Sequence, residues 1–157
     1  MRDLELEEDC PALRESPYSV TSQKDPKYNC VAFAVGDTTQ WWEDVRINGR
    51  RVKGYYWPPL GAEAAYTMQG WLRVFQVHGY VETDDRSLET EYEKIAIYGS
   101  PTIPEHVARQ KATGVWTSKA GKGVDIEHTL EGLEGDLYGN VVKIMKRKCQ
   151  DGKRVLE

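Results

Sequence analysis

The chain has 157 residues, a length that closes one hydrophobic core and leaves no room for a second domain of ordinary size. Hydrophobic residues make up 39% and charged residues 29%, with five Trp and nine Tyr, which excludes a mainly disordered chain. The balance of 21 basic against 25 acidic residues gives a net charge of −4, so phosphate-driven nucleic-acid binding is disfavoured, and no run approaches the ~20 apolar residues that span a bilayer.

The first residues, MRDLELEEDC, carry acids where a secretory signal carries a basic start and an apolar run, so the expected compartment is the cytoplasm. Residues 1–27 hold Pro11, Pro17 and Pro26 without a sustained period and are expected to form an irregular lead-in. Asn29 is a good helix N-cap, and the run Val31 to Val35 behind it suits a central buried helix whose first turn holds Cys30.

Residues 45–57 alternate around Asn48-Gly49, a pair that calls for a two-residue type I′ hairpin, an inserted excursion from the core. Ala64, Met68, Trp71, Leu72 and Phe75 then recur at helical spacing, predicting a helix over 62–77 ended by a C′ glycine at Gly79. Four β-prone stretches follow, 93–99, 106–110, 114–119 and 138–147. Two helices and then a run of strands predict a single α+β domain over 1–157. Its helices pack on an antiparallel sheet, because a parallel sheet needs crossover helices that are missing.

Three cysteines, Cys10, Cys30 and Cys149, make no CxxC pair, which argues against a disulfide framework and a zinc knuckle; His128, Cys149 and His78 have no metal-ligand spacing, and His128 in Asp125-Ile126-Glu127-His128 is expected on a surface turn. Neither a metal nor any other cofactor is expected. Cys30 stands out because a thiol in the first turn of a helix meets the positive end of the macrodipole and unpaired N–H groups, which favour thiolate and the oxyanion of an acyl intermediate. The alternative is a small buried hydrophobe.

His106 opens a strand from which an imidazole can reach toward that helix end. A three-residue turn over Lys111, Ala112 and Thr113 puts Ser118 opposite it, on the face of Trp116 and Ala108, whereas a four-residue turn brings Lys119 there instead. Ser118 is then the orienting group of a nucleophile, base and orienter set, or a solvated strand serine. Trp41, Trp42, Tyr55, Tyr56 and Trp57 are core anchors or, where exposed, the lining of a groove beside Cys30. Arg46, Arg50, Arg51 and Lys53 form a solvated face or a surface for an acidic partner.

The order of cysteine-led helix, second helix, His-led strand and hairpin partner resembles the papain-like cysteine peptidases, in particular the NlpC-type and CHAP-type amidases. The strings Tyr28-Asn29-Cys30, Trp41-Trp42, His106-Val107-Ala108-Arg109-Gln110, Trp116-Thr117-Ser118-Lys119 and Asp125-Ile126-Glu127-His128 are similar to those of a group of bacterial proteins within that superfamily. The resemblance covers about residues 17–147 and implies catalytic roles for Cys30, His106 and Ser118. Tyr18, after Pro17, would support the site, with Trp41, Trp42 and Trp116 along the substrate groove. Asn29 before Cys30 and Ser118 at the third position depart from the usual NlpC residues.

Two functions follow. One is a cofactor-free thiol hydrolase or acyl-transfer enzyme acting on an amide of a peptide or protein, including an exported effector. The other is a catalytically inactive module on the same scaffold that grips a protein partner with an aromatic cleft and the basic hairpin. An active pairing requires a Cys30 pKa well below 7.

Overall fold

A computed structural model describes residues 2–59, 66–120 and 123–150. In chain order the elements are α1 (Leu4–Asp9), a 3-10 turn (Pro11–Arg14), β1 (Tyr18–Val20), α2 (Cys30–Ala34), β2 (Trp41–Trp42), β3 (Arg46–Ile47), β4 (Arg50–Arg51) and β5 (Tyr55–Tyr56). They continue with α3 (Met68–Val77), β6 (Val81–Thr83), β7 (Tyr92–Gly99), β8 (Pro104–Gln110), β9 (Trp116–Lys119), β10 (Asp125–His128), a 3-10 turn (Glu131–Leu133) and β11 (Asn140–Lys148). The architecture is α+β, with a seven-stranded sheet in the order β1-β10-β9-β8-β7-β11-β6 and every neighbouring pair antiparallel. Strands β7 to β10 form an antiparallel meander.

Strand alternation divides the interior into two cores. Ile95, Ile97, Val107 and Met145 face one side, where they pack with α2 and α3 through Val31, Ala32, Trp71, Val74 and Phe75. Ala96, Tyr98, Ala108, Trp116, Ile126 and Ile144 face the other, against Leu6 of α1 and Leu13 and Leu133 of the two 3-10 turns. Because both faces of β7 are covered, its residues 93–98 are all buried, which is why it reads as a near-continuous run rather than an alternating one.

The helix predicted over 62–77 spans Met68–Val77, with Thr67 as N-cap accepting from the Gly70 amide; residues 60–65, including Ala64, lie outside the described residues. Gly79 takes φ +92°, and Tyr80 N–H bonds back to Phe75, so the expected C′ glycine is in place. Asn48 and Gly49 have φ of 52° and 76°, the two left-handed residues a type I′ turn requires.

Two expectations are corrected. The lead-in over 1–27 is not irregular throughout: it supplies α1 and β1, and β1 pairs with β10 in the main sheet. The Asp125–His128 segment is strand β10, not a surface turn, and His128 is buried. A four-residue strand whose alternate positions are acidic carries too little apolar signal to stand out, and its acids find partners distant in sequence, Asp125 through one carboxylate oxygen with Tyr28 and Glu127 with Lys111. No helix among the described residues is long and apolar enough to cross a membrane.

The β3–β4 ribbon is a two-stranded sheet of its own, and residues 46–51 are all exposed. Deleting residues 46–53 is expected to leave one cooperative thermal transition with Tm lowered by less than about 4 °C, because the segment is exposed apart from half-buried Val52 and its bonds to the rest of the chain are few: Arg51 to the Trp57 carbonyl, Arg46 to Asp44, and the backbone bonds of Val52 with Val45 and Tyr55. Loss of the transition in calorimetry is the opposing result.

Candidate functional site

Cys30 is the first residue of α2, as the capping signal predicts. Asn29 accepts from the Ala32 amide at 3.1 Å and donates to the Trp42 carbonyl at 2.9 Å, so one side chain both caps the helix and fastens the tryptophan pair to it. The thiol packs with the α2-side core. Burial pushes the Cys30 thiol up to about 11, and the backbone N–H groups of Val107, Val31 and Cys30 itself offset this only in part. A helix of five residues offers too little dipole to overcome that desolvation.

His106 lies on the opposite face of the sheet. It is the register partner of Tyr98, whose side chain belongs to the α1-side core, while the next residue, Val107, faces α2. The imidazole stacks on Tyr138 with ring centroids 4.2 Å apart and meets Tyr98 edge-on at 5.5 Å. It is buried, its Nε2 has no hydrogen-bond partner among the described residues, and desolvation, with the neighbouring His128, lowers its pKa to about 3. The expected pairing of Cys30 with His106 is therefore not assembled: successive residues of a strand point to opposite faces, and Val107 takes the one toward α2.

Ser118 is likewise not opposite His106. The connection from β8 to β9 has five residues, closed by Lys111 N–H to the Val115 carbonyl at 2.8 Å, and the pair Gln110–Trp116 carries the register on to Ala108 opposite Ser118. Ser118 shares the face of Trp116 and Ala108 as expected, but its hydroxyl pairs with His128 Nε2 at 2.7 Å. The other ring nitrogen of His128 lies 2.7 Å from the Thr129 carbonyl, so Nδ1 carries the proton and Nε2 accepts from Ser118. Burial lowers His128 to about 4.

The predicted groove residues are dispersed. Tyr18 sits on β1 and donates to Glu7, Trp41 donates its indole N–H to Glu43, and Trp42 is a buried core residue bonded to Asp37. Trp116 is buried on the α1 side of the sheet. Each large ring is consumed by a core or by a local acceptor, and they do not line one groove.

What the α2 face does present is a polar set that the spacing of the sequence left unread. Lys119 is fully buried, with Nζ 4.1 Å from the centroid of the Tyr28 ring and no hydrogen-bond partner among the described residues, and burial lowers its pKa. Asp125, its register partner across the β9–β10 hairpin, accepts from the Tyr28 hydroxyl at 2.7 Å. Recognising Asp125–His128 as a strand would have exposed this cross-strand pair. His78 is engaged through Nδ1 with the Val74 carbonyl, and among the described residues no three His, Cys, Asp or Glu gather into a metal site.

Residues 19–146 match the family described as Domain of unknown function (DUF7689). The chain belongs to this family. The DUF7689 match begins in β1 and ends in β11, so it takes in Cys30, His106, Ser118, Lys119, Asp125 and His128 and leaves α1 outside. The α1 helix thus covers one core of the DUF7689 domain from beyond the family boundary, through Leu6. No curated protein and no solved structure matches the chain.

Proposed function

We propose that this DUF7689 domain is a protein-binding module on a papain-like scaffold, not a turnover enzyme. The observation that carries this is the placement of Cys30 and His106 on opposite faces of the sheet, with the thiol and the imidazole both neutral at pH 7. A thiol hydrolase needs the two in contact, because the base must take the thiol proton or hold the thiolate as an ion pair. The order of elements supports the scaffold: a cysteine-led helix packed on β8 and β9, then an antiparallel meander whose second strand carries the histidine.

A second reading is favoured by one feature. Three backbone N–H groups, of Val107, Val31 and Cys30, bear on the Cys30 sulfur, a donor set suited to a thiolate or an oxyanion. Amide hydrolysis or acyl transfer by Cys30 then requires a rearranged state in which His106 leaves Tyr138 and turns to the α2 face.

Iodoacetamide labelling across pH 5–9 with site assignment by mass spectrometry separates the two. Cys10 is also raised to about 11, so the binding reading expects Cys30 and Cys10 to be equally unreactive at pH 6, with reaction appearing only in alkali. It also expects His106→Phe, which preserves the stack on Tyr138, to leave the Cys30 profile unchanged. Labelling of Cys30 that persists into acid and moves to higher pH in His106→Phe overturns it in favour of a paired, nucleophilic thiol.

A further inference from the structure

The β3–β4 ribbon concentrates positive charge on an acidic body. Arg46, Arg50, Arg51 and Lys53 fall within eight residues and no acid occurs between 45 and 57, so the remainder of the chain carries 17 basic against 25 acidic residues. The ribbon is a separate sheet with a type I′ turn, which fixes its shape before any partner arrives. Its internal pairing is electrostatically unfavourable: Arg46 and Arg51 are direct cross-strand partners, an arrangement that costs stability between like charges. Asp44 relieves Arg46 at 3.0 Å and the Trp57 carbonyl receives Arg51. Arg50 and Lys53 have no hydrogen-bond or ion-pair partner among the described residues.

The apolar side is equally exposed. Ile47, the register partner of Arg50, is 66% exposed, and Tyr55 follows at the base of the ribbon at 37%. One face of the ribbon therefore pairs an unsatisfied guanidinium with an uncovered aliphatic side chain.

We infer that the β3–β4 ribbon docks an extended acidic segment of a partner protein, with Arg50 and Lys53 receiving its carboxylates and Ile47 and Tyr55 covering its apolar residues. Guanidinium and carboxylate match in planar, bidentate geometry, and steering by a basic spike on an acidic body orients the encounter. A short acidic peptide touches the ribbon alone. A nucleic-acid duplex, by contrast, carries dense phosphate past it and into the field of the acidic body within the ~8–10 Å screening length of physiological salt.

This inference rests on the binding-module reading but not on any property of Cys30, so alkylation tests that reading and peptide binding tests the ribbon. The measurement is fluorescence anisotropy of the full chain with a labelled alternating Glu-Leu peptide, at low and physiological salt. Its Lys-Leu counterpart and a short DNA duplex serve as competing probes. Binding of the Glu-Leu peptide that weakens with salt is expected, and the double variant Arg50→Glu, Lys53→Glu should weaken it about tenfold or more with an unchanged melt. The charge-matched control Arg14→Glu, Lys148→Glu, at two exposed positions outside the ribbon, should change it little. The inference falls if the Glu-Leu peptide does not bind, if the ribbon variant binds as the native chain does, if the control loses as much, or if DNA binds more tightly than the peptide.

Discussion

Acidification from pH 7 to 4.5 is expected to destabilise the domain by about 5 kcal/mol, a large part of the ~5–15 kcal/mol that holds a domain of this size together. The cause is two buried imidazoles on the α1 side of the sheet, His106 lowered to about 3 and His128 to about 4 from an ordinary value of 6.5. Both values fall on folding, so the unfolded chain takes up protons that the folded one refuses. Stability is complete above pH 6.5, is lost progressively as the pH falls below it, and levels off near pH 3–4. The groups around the two rings offset this only in small part: His106 faces Tyr98 and Tyr138, and for His128 the Thr129 carbonyl raises the ring without overcoming its burial beside the Ser118 hydroxyl. Asp37, lowered to about 2 by the hydrogen bonds of Thr39, Trp42 and Gln40 against its own desolvation, adds a loss only below about pH 4.

Thermal melts at pH 7.5, 6 and 4.5 measure this slope. His106→Phe should flatten it, because the variant takes up one proton fewer on unfolding. At pH 7.5 the variant should be as stable as the native chain or more so, since it replaces a buried nitrogen without a partner by an apolar ring edge. A Tm independent of pH over this range, or an unaltered slope in the variant, would show that the imidazoles are solvated in solution.

Local chemistry was legible in the sequence, and long-range geometry was not. Asn29 capped α2 and placed Cys30 at its start, Gly79 closed α3, and Asn48-Gly49 formed its turn, because each depends on a few neighbouring residues. The site required two further facts. One is the length of the β8–β9 connection, where five residues instead of three move Ser118 from His106 to Ala108. The other is the bulge in the β7–β8 pair, where Tyr98 meets His106 but Gly99 meets Pro104, so that one extra residue, Glu105, is accommodated at the start of β8. A slip of one position turns every side chain of a strand to the other face, so the side on which His106 lies was undetermined by its own sequence neighbourhood. The buried polar pairs are hidden for a related reason: Tyr28 and Asp125 meet across 97 positions of chain.

That bulge makes Gly99 the position where a single methyl group should have the greatest effect. Gly99 has φ +151°, a conformation open to glycine, and a Cβ there would lie 2.1 Å from the Ile103 carbonyl oxygen and 3.0 Å from Pro104 Cα. Both are backbone atoms, and the Ile103 carbonyl is held by the Ser100 amide at 2.9 Å, so the clash cannot be relieved by turning a side chain. Gly139 presses on the other side, since a Cβ at that position would come within 2.8 Å of the Gly99 oxygen. Gly99→Ala is expected to cost on the order of 3 kcal/mol or more, combining strained backbone with displacement of the β7–β8 turn. In urea denaturation the midpoint should fall while the slope stays the same, because the surface exposed on unfolding does not change. Gly49→Ala supplies the comparison: φ is +76° but nothing lies within 4 Å of its Cβ, so only the left-handed backbone penalty of ~1–2 kcal/mol applies. Since the same turn sets the face that His106 takes, Gly99→Ala should also weaken the acid sensitivity of whatever native state survives, as the imidazole is drawn away from Tyr138. A Gly99→Ala protein no less stable than Gly49→Ala, with the native pH slope intact, would mean that the bulge is not what holds His106 on the α1 side.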